Sequence, residues 1–270
     1  MHNISINMDS IFYAAEEAVV QTGRWIATQA GTLTSDQVHT KGRADFATDT
    51  DLGAERLLVG ALKPLLPDAA FLTEEKTVQQ AEASYRWIID PIDGTTNFLH
   101  GLPCYSVSVA LEHQGELLWG CVYEISRQES FSAARGRGAR LNGTPIHLSR
   151  CASLSDALIA TGFPYGRPDW LLPYMALAGQ VQGSCHGIRR FGSAAVDLAY
   201  TACGRLDGYY EYKLNPWDCA AGVLLVREAG GVVEPFVPGD DPVFGAGLIG
   251  GTAAVVAALQ ALIAEHWHQD

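Results

Sequence analysis

The run Trp87–Ile88–Ile89–Asp90–Pro91–Ile92–Asp93–Gly94–Thr95–Thr96–Asn97 sets an apolar strand, two carboxylates and a sharp turn end to end. Three apolar residues make a buried strand, and Asp90 and Asp93 stand at its end with Pro91 and Ile92 between them. Pro91 fixes its own φ, lacks an N–H and holds Asp90 extended, so the strand is expected to stop there. Gly94 permits the turn, and Thr95–Thr96 open a helix whose free N–H groups point at the same spot. A carboxylate pair would then face an anion-binding helix end, two features that a divalent cation between them reconciles. An Asx turn with a helix cap is the plainer alternative.

Further carboxylates repeat the pattern outward from this run. Glu74–Glu75 follows the apolar Phe71–Leu72, although adjacent glutamates also suit a solvated face. Asp218 follows Trp217 and opens an apolar helix, where a plain N-cap is the alternative. Asp45, Asp49 and Asp51 gather at the start of another helix, a place that also suits the macrodipole. Together they form an oxygen-rich set of the kind that hard cations such as Mg²⁺ take, with water and substrate phosphate completing the shell.

Composition narrows the classes. The 270 residues carry 18 basic and 30 acidic side chains, a net charge of −12 that repels phosphodiester backbones and anionic lipid. Nucleic-acid and membrane-surface partners are therefore not expected, and bound Mg²⁺ would reverse the local sign for an anionic substrate. Cys104, Cys121, Cys151, Cys185, Cys203 and Cys219 form no Cys-x-x-Cys pair and read as free thiols of a reducing cytoplasm. Met1–Ser10 has no basic patch before an apolar core and is not read as a secretory signal. Gly245–Ala264 imitates a membrane span, but Gly250–Gly251–Thr252 breaks it into a strand and a capped helix.

Periodicity predicts helices over Asp9–Gln29 and Thr48–Leu66, the second stopped by Pro67, with a loop around Ser35–Asp45 between them. Strands are predicted at Phe71–Thr73, Trp87–Asp90, Tyr105–Leu111, Leu117–Tyr123 and Ser130–Ala134, followed by turns over Gly136–Gly143. The second half alternates strand and helix: Ala157–Thr161, a helix near Asp169–Gln182, Ser193–Cys203, Leu206–Glu211, Asp218–Ala229, Val232–Glu234 and the pair around Gly251. The fold class is thus α+β followed by α/β. An antiparallel sheet with two helices precedes a mixed sheet with flanking helices, layered as an αβαβα sandwich. Residues 1–148 are expected to carry most of the acidic site, and residues 149–270 to complete it.

These motifs resemble the inositol monophosphatase family, within the lithium-sensitive, Mg²⁺-dependent phosphomonoesterases, from the first helix to the last. The resemblance rests on Lys41 with Asp45–Phe46–Ala47–Thr48–Asp49–Thr50–Asp51, Glu74–Glu75, Asp90 through Phe98, and Trp217–Asp218–Cys219–Ala220–Ala221–Gly222 leading to Glu228–Ala229–Gly230–Gly231. It implies Glu74, Asp90, the Ile92 carbonyl, Asp93 and Asp218 as ligands of about two or three Mg²⁺ ions. It implies Thr95, supported by Asp51, as the residue that orients the attacking water with Glu74, and the amides of Gly94 and Thr95 as the phosphate holders. Polyol contacts fall on Asp93, Gly192–Ser193–Ala194 and Glu211, and a homodimer is implied as well. Asn215–Pro216 and Arg189–Arg190 are similar to bacterial members.

The expected activity is hydrolysis of a small phosphorylated polyol, inositol monophosphate first. Fructose 1,6-bisphosphate, histidinol phosphate and 3′-phosphoadenosine 5′-phosphate are substrates of the same mechanism, and a non-catalytic phospho-ligand or protein-binding module is the alternative of another class. Gly245–Ala246–Gly247–Leu248–Ile249–Gly250 fits a dinucleotide fingerprint but lacks the following strand and acid. His266 and His268 sit at a chain end, and Arg135–Arg140 reads as a surface turn rather than an anion site. Gly-x-Ser-x-Gly and His-Glu-x-x-His do not occur, so serine hydrolase and zinc protease lack their parts.

Overall fold

The structure is a computed structural model that describes residues 7–31, 38–42, 45–78, 83–163 and 168–267, with 40–42, 45 and 46 described by backbone alone. Asn7 caps α1 (Met8–Gln29) by accepting from the amides of Asp9 and Ser10, and Ile11, Ala15, Val19 and Ile26 form its buried face. β1 (Val38–Gly42) lies in the stretch predicted as a loop and pairs as an antiparallel hairpin with β2 (Asp45–Thr48), which runs past that loop to the residue predicted to start the helix. α2 (Asp49–Leu62) starts from a capping box between Thr48 and Asp51. It ends at Leu62 and not at Leu66, because Pro64 has no N–H to give the Gly60 carbonyl.

Next come β3 (Ala70–Thr73), β4 (Tyr85–Asp93), the one-turn helix α3 (Thr95–Leu99), β5 (Ser106–His113), β6 (Glu116–Glu124) and β7 (Glu129–Ala134). β8 (Ala139–Leu141) and β9 (Thr144–Ile146) form a small hairpin in and beyond the stretch predicted as turns. These seven strands make one sheet in chain order, with β3 parallel to β4 and the other neighbours antiparallel. The turn before β8 does hold an anion, but it is the chain's own. The amides of Gly136, Arg137 and Gly138 donate to the Glu228 carboxylate at 2.8, 3.1 and 2.9 Å.

The second half runs β10 (Leu158–Thr161), α4 (Leu171–Ser184), β11 (Gly187–Arg189), α5 (Ala194–Ala202), β12 (Gly208–Tyr212), α6 (Pro216–Glu228), β13 (Val232–Pro235), β14 (Gly247–Gly251) and α7 (Ala253–His266). Its five strands are ordered β11-β10-β12-β14-β13; β10 is parallel to β11 and β12, whereas β14 is antiparallel to β12 and β13. Three residues are too few for β11 to announce itself by alternation. The Gly-rich run of 245–250 enters β14 between two antiparallel neighbours, which is not the context of a dinucleotide turn. His266 ends α7, and His268 lies outside the described residues. No described helix is long and apolar enough to cross a membrane.

Five layers result, as the sequence indicated. α1 and α2 cover the outer face of the seven-stranded sheet, and α4 and α7 cover the outer face of the five-stranded one. α5 and α6 fill the space between the two sheets, where Ile88, Val122 and Phe131 share one apolar cluster with Leu198, Val223 and Leu225. Close approach is needed there: a Cβ on Gly120 would lie 2.9 Å from the Ala221 Cα and 3.1 Å from its carbonyl oxygen. Backbone cannot step aside as a side-chain tip can. Gly120→Val is therefore expected to destabilise the fold by about 1–3 kcal/mol, read from the urea midpoint at unchanged m. Gly60→Ala, which meets nothing within 4 Å on α2, is the control and should leave or raise the midpoint.

Candidate active site

β4 does not stop at Asp90. It continues through Asp93 with a β-bulge, since Asp90 pairs with Ser108 and Asp93 with Ser106. Three steps on β4 thus match two on β5, and Pro91, without an N–H, sits in the interval where the ladder is broken. The extra residue decides the chemistry. In an unbroken strand residues three apart face opposite sides, whereas here Asp90 and Asp93 pair with serines that share one face. That face looks toward the middle helices, as Ser108 Oγ donates to the Trp217 carbonyl at 3.2 Å and Ser106 Oγ lies 3.3 Å from Ser193 Oγ.

Local hydrogen bonds fix each acid. The Ile92 amide donates to Asp90 Oδ1 at 3.0 Å, so an Asx turn is present and orients the carboxylate. Asp93 Oδ2 accepts from Ser193 Oγ at 2.6 Å and from the Ala195 amide at 2.7 Å, joining β4 to the start of α5. Gly94 is left-handed at φ 93°, and a Cβ there would meet the Cys104 and Gly192 carbonyls at 3.0 and 3.1 Å. α3 has only five residues, so its first amides, rather than a macrodipole, face the cleft. Thr95 Oγ1 has two acceptors, the Ile92 carbonyl at 2.9 Å and Asp51 Oδ1 at 3.2 Å. Asp51 itself is fully buried and accepts from the Thr48 amide and hydroxyl. Asp49, by contrast, faces His39 at the surface, and the side chains of Lys41 and Asp45 lie outside the described residues. Asp218 does not open α6: Asn215 is the cap, Pro216 follows, and Asp218 Oδ2 reaches back to the Asn215 amide at 2.7 Å.

Glu74, Asp90, Asp93 and Asp218 line one cleft of about 310 Å³ together with Ile92, Gly94, Thr95, Gly192–Ser193–Ala194 and Glu211. All of the residues to which the resemblance gives a role share this lining except Asp51, which stands behind Thr95, whereas Glu75 and Asp49 do not line it. Burial pushes Asp90 well above the usual carboxylate range, helped by the charges of Glu74, Asp93 and Asp218. Burial likewise raises Asp218, with Asp93 the first charge acting on it. Asp51 and Asp93 rise to about 6, burial outweighing the hydrogen bonds from Thr48 and from Ser193 respectively. Glu211 rises to about 7 for the same reason, although Tyr209 donates to it at 2.5 Å. Gly162 makes room for it, since a Cβ there would sit 2.0 Å from the carboxylate oxygens.

Such a set is costly without counter-charge, and its oxygen-only chemistry fits a hard divalent cation. Among the described residues no three Asp, Glu, His or Cys side chains are closed on one ligating point; the carboxylates surround the cleft. Three further residues carry no role in the sequence reading. Asp197, a lone acid in the apolar helix α5, is buried in the lining and its Oδ1 has no partner among the described residues. Asn97 Nδ2 donates to the Cys104 and Phe191 carbonyls, both at 2.7 Å, and so ties the Gly94 turn to the Gly192 turn. Glu55 lies four residues after Asp51, on the same face of α2, a spacing that was available to be read.

Comparison with known proteins finds relatives along nearly the whole chain. The sequence profile described as the inositol monophosphatase family matches residues 7–269. An inositol-1-monophosphatase of Rhizobium meliloti is 41% identical over 249 residues, 92% of this chain and 93% of that protein. The Nus factor SuhB of Escherichia coli K12 is 38% identical over 255 residues, 94% and 96% of the two chains. Among solved structures, the extragenic suppressor protein suhB of Bartonella henselae superposes with a TM-score of 0.89 at 37% identity, covering 94% of this chain and 98% of that one. A Thermotoga maritima IMPase superposes at 0.85 with 31% identity, covering 96% and 98%.

The raised carboxyls have a sign that can be measured. A group whose folded pKa lies above its unfolded value contributes stability that is complete below the unfolded pKa and is lost as pH rises through the folded one. For Asp51, Asp93 and Glu211 that window runs from about 4 to about 7. In EDTA the acidic site should therefore lower the melting temperature across this window, and Mg²⁺ should raise it more at about pH 7.5 than at about pH 5. Equal Mg²⁺ shifts at both pH values would contradict ion binding in this acidic cleft.

Proposed function

Because the chain belongs to the inositol monophosphatase family, we propose that it is a Mg²⁺-dependent phosphomonoesterase that hydrolyses inositol monophosphate to inositol and phosphate. The observation that supports this most is the convergence of Glu74 from the loop after β3, Asp90 and Asp93 from β4, and Asp218 from α6 beside the Gly94 turn. Those four side chains and the Ile92 carbonyl would hold about two or three Mg²⁺ ions. When bound, Mg²⁺ supplies a Lewis acid for phosphoryl oxygens and lowers the pKa of water.

The chain's own residues supply the rest of the proposed reaction. Residues 1–148 bring the acids of β4 and the loop after β3; residues 149–270 add Asp218 and the polyol side. The amides of Gly94 and Thr95 donate to the phosphate oxygens. Thr95, held by Asp51, and Glu74 orient a water for in-line attack on phosphorus, with no phosphoenzyme. Asp93, Gly192–Ser193–Ala194 and Glu211 receive the polyol, since a carboxylate accepts from paired hydroxyls. The protein acts as a cytoplasmic homodimer without a membrane partner. A phospho-ligand or protein-binding role is the second reading, favoured by relatives that carry the name Nus factor SuhB. The net charge of −12 speaks against direct nucleic-acid contact in either case.

Phosphate release from inositol monophosphate, fructose 1,6-bisphosphate, histidinol phosphate and 3′-phosphoadenosine 5′-phosphate, with Mg²⁺ and with EDTA, tests the reading. Inositol monophosphate should be turned over best, EDTA should abolish release, and millimolar Li⁺ should inhibit. Release that persists in EDTA overturns the proposal, and no release from any ester leaves the binding reading in its place. Asp93→Asn should cost more than about 100-fold in turnover, beyond the 10–100-fold typical of residues that merely support ligands. Glu211→Gln should raise KM for inositol monophosphate more than for p-nitrophenyl phosphate; equal losses count against a polyol contact.

A further inference from the structure

Glu55 has no solvent exposure and belongs to no motif that the proposed reaction uses. Its carboxylate is nevertheless the anchor of the loop after β3. Oε1 accepts from Thr73 Oγ1 at 3.0 Å, from the Thr77 amide at 2.6 Å and from Thr77 Oγ1 at 2.6 Å. Oε2 accepts from the Glu75 amide at 2.8 Å. Four donors from residues 73, 75 and 77 thus close around one buried anion, and Glu74 lies inside that clasp with its own amide bonded to the Ile89 carbonyl at 3.2 Å. Lys76 completes the curl in a left-handed conformation at φ 54°. Hydrogen bonds to an ionised acceptor are about twice as strong as neutral ones, so this is a stiff mount for a short loop.

We infer that Glu55 is a positioning residue that sets the Glu74 carboxylate for the cation, by gripping both flanks of the loop that bears it. The inference rests on the Mg²⁺ reading above. α2 then acts as a strut with two buried acids one turn apart: Asp51 serves Thr95, and Glu55 serves Glu74. An acceptor-only group is required, because an amide in either orientation would turn its NH₂ toward a donor of the loop.

Glu55→Gln in the full chain tests this at nearly constant volume. Amide exchange at Glu75 and Thr77, measured in EDTA, should accelerate. Calorimetric Mg²⁺ affinity should fall about 10-fold or more, the Mg²⁺ midpoint for phosphate release should rise in parallel, and KM for the ester should stay within about 2-fold. Thr77→Val removes one donor only and should shift the Mg²⁺ affinity the same way by on the order of 5-fold; it decides the matter if Glu55→Gln does not melt cooperatively. Faster exchange with unchanged Mg²⁺ affinity would make Glu55 a purely structural anchor and overturn the inference. A wild-type chain that binds no Mg²⁺ overturns the parent reading and this one together, whereas a Mg²⁺-binding wild type with an indifferent Glu55→Gln overturns this one alone.

Discussion

Mutual repulsion among buried carboxylates is the constraint around which the molecule is organised. Asp93 and Asp218 raise the proton affinity of Asp90, Asp93 raises that of Asp218, and Glu74 acts on all three. Removing such groups from water costs several kcal/mol per ion unless positive charge or donors answer them. Part of the answer is built into the backbone. α3, α5 and α6 all begin at the cleft, and their first-turn amides carry partial positive charge. Asp93 draws on the start of α5, while Asp218 draws on the Asn215 amide at the head of α6. The balance is left for a cation.

The five-layer arrangement makes that convergence possible. α5 and α6 lie between the sheets and deliver their N-termini to the bulged end of β4, so residues far apart in sequence meet at one edge. The bulge turns Asp90 and Asp93 to the same side. Gly120 allows α6 to lie against β6 at backbone contact, and Asn97 fastens the Gly94 turn to the Gly192 turn. On the outer side α2 supports the site from behind through Asp51 and Glu55. Stability and site geometry therefore use the same contacts.

Much of this was legible in the residues. Alternation and helical spacing locate most long elements, and the acids at strand and helix ends identify the cleft before any coordinates. What escaped did so for physical reasons. Pro91 reads as a strand stop because a missing N–H breaks a ladder, but a bulge absorbs that loss and lets β4 run on to Asp93. β8, β9 and β11 are three residues each, fewer than the run of about four over which alternation can be read. Asp218 reads as a helix opener, yet Asn215 takes that place and leaves Asp218 one turn inside. Asp197 looks like an ordinary helix residue until tertiary packing buries it, and Glu55 shows only its one-turn spacing from Asp51.

The most direct measurement is a crystal grown with Mn²⁺ in place of Mg²⁺ and examined by anomalous scattering. Peaks should lie among the oxygens of Glu74, Asp90, Asp93, Asp218 and the Ile92 carbonyl. A difference map without a peak in this cleft, at saturating Mn²⁺, would contradict the idea that a divalent cation completes the site.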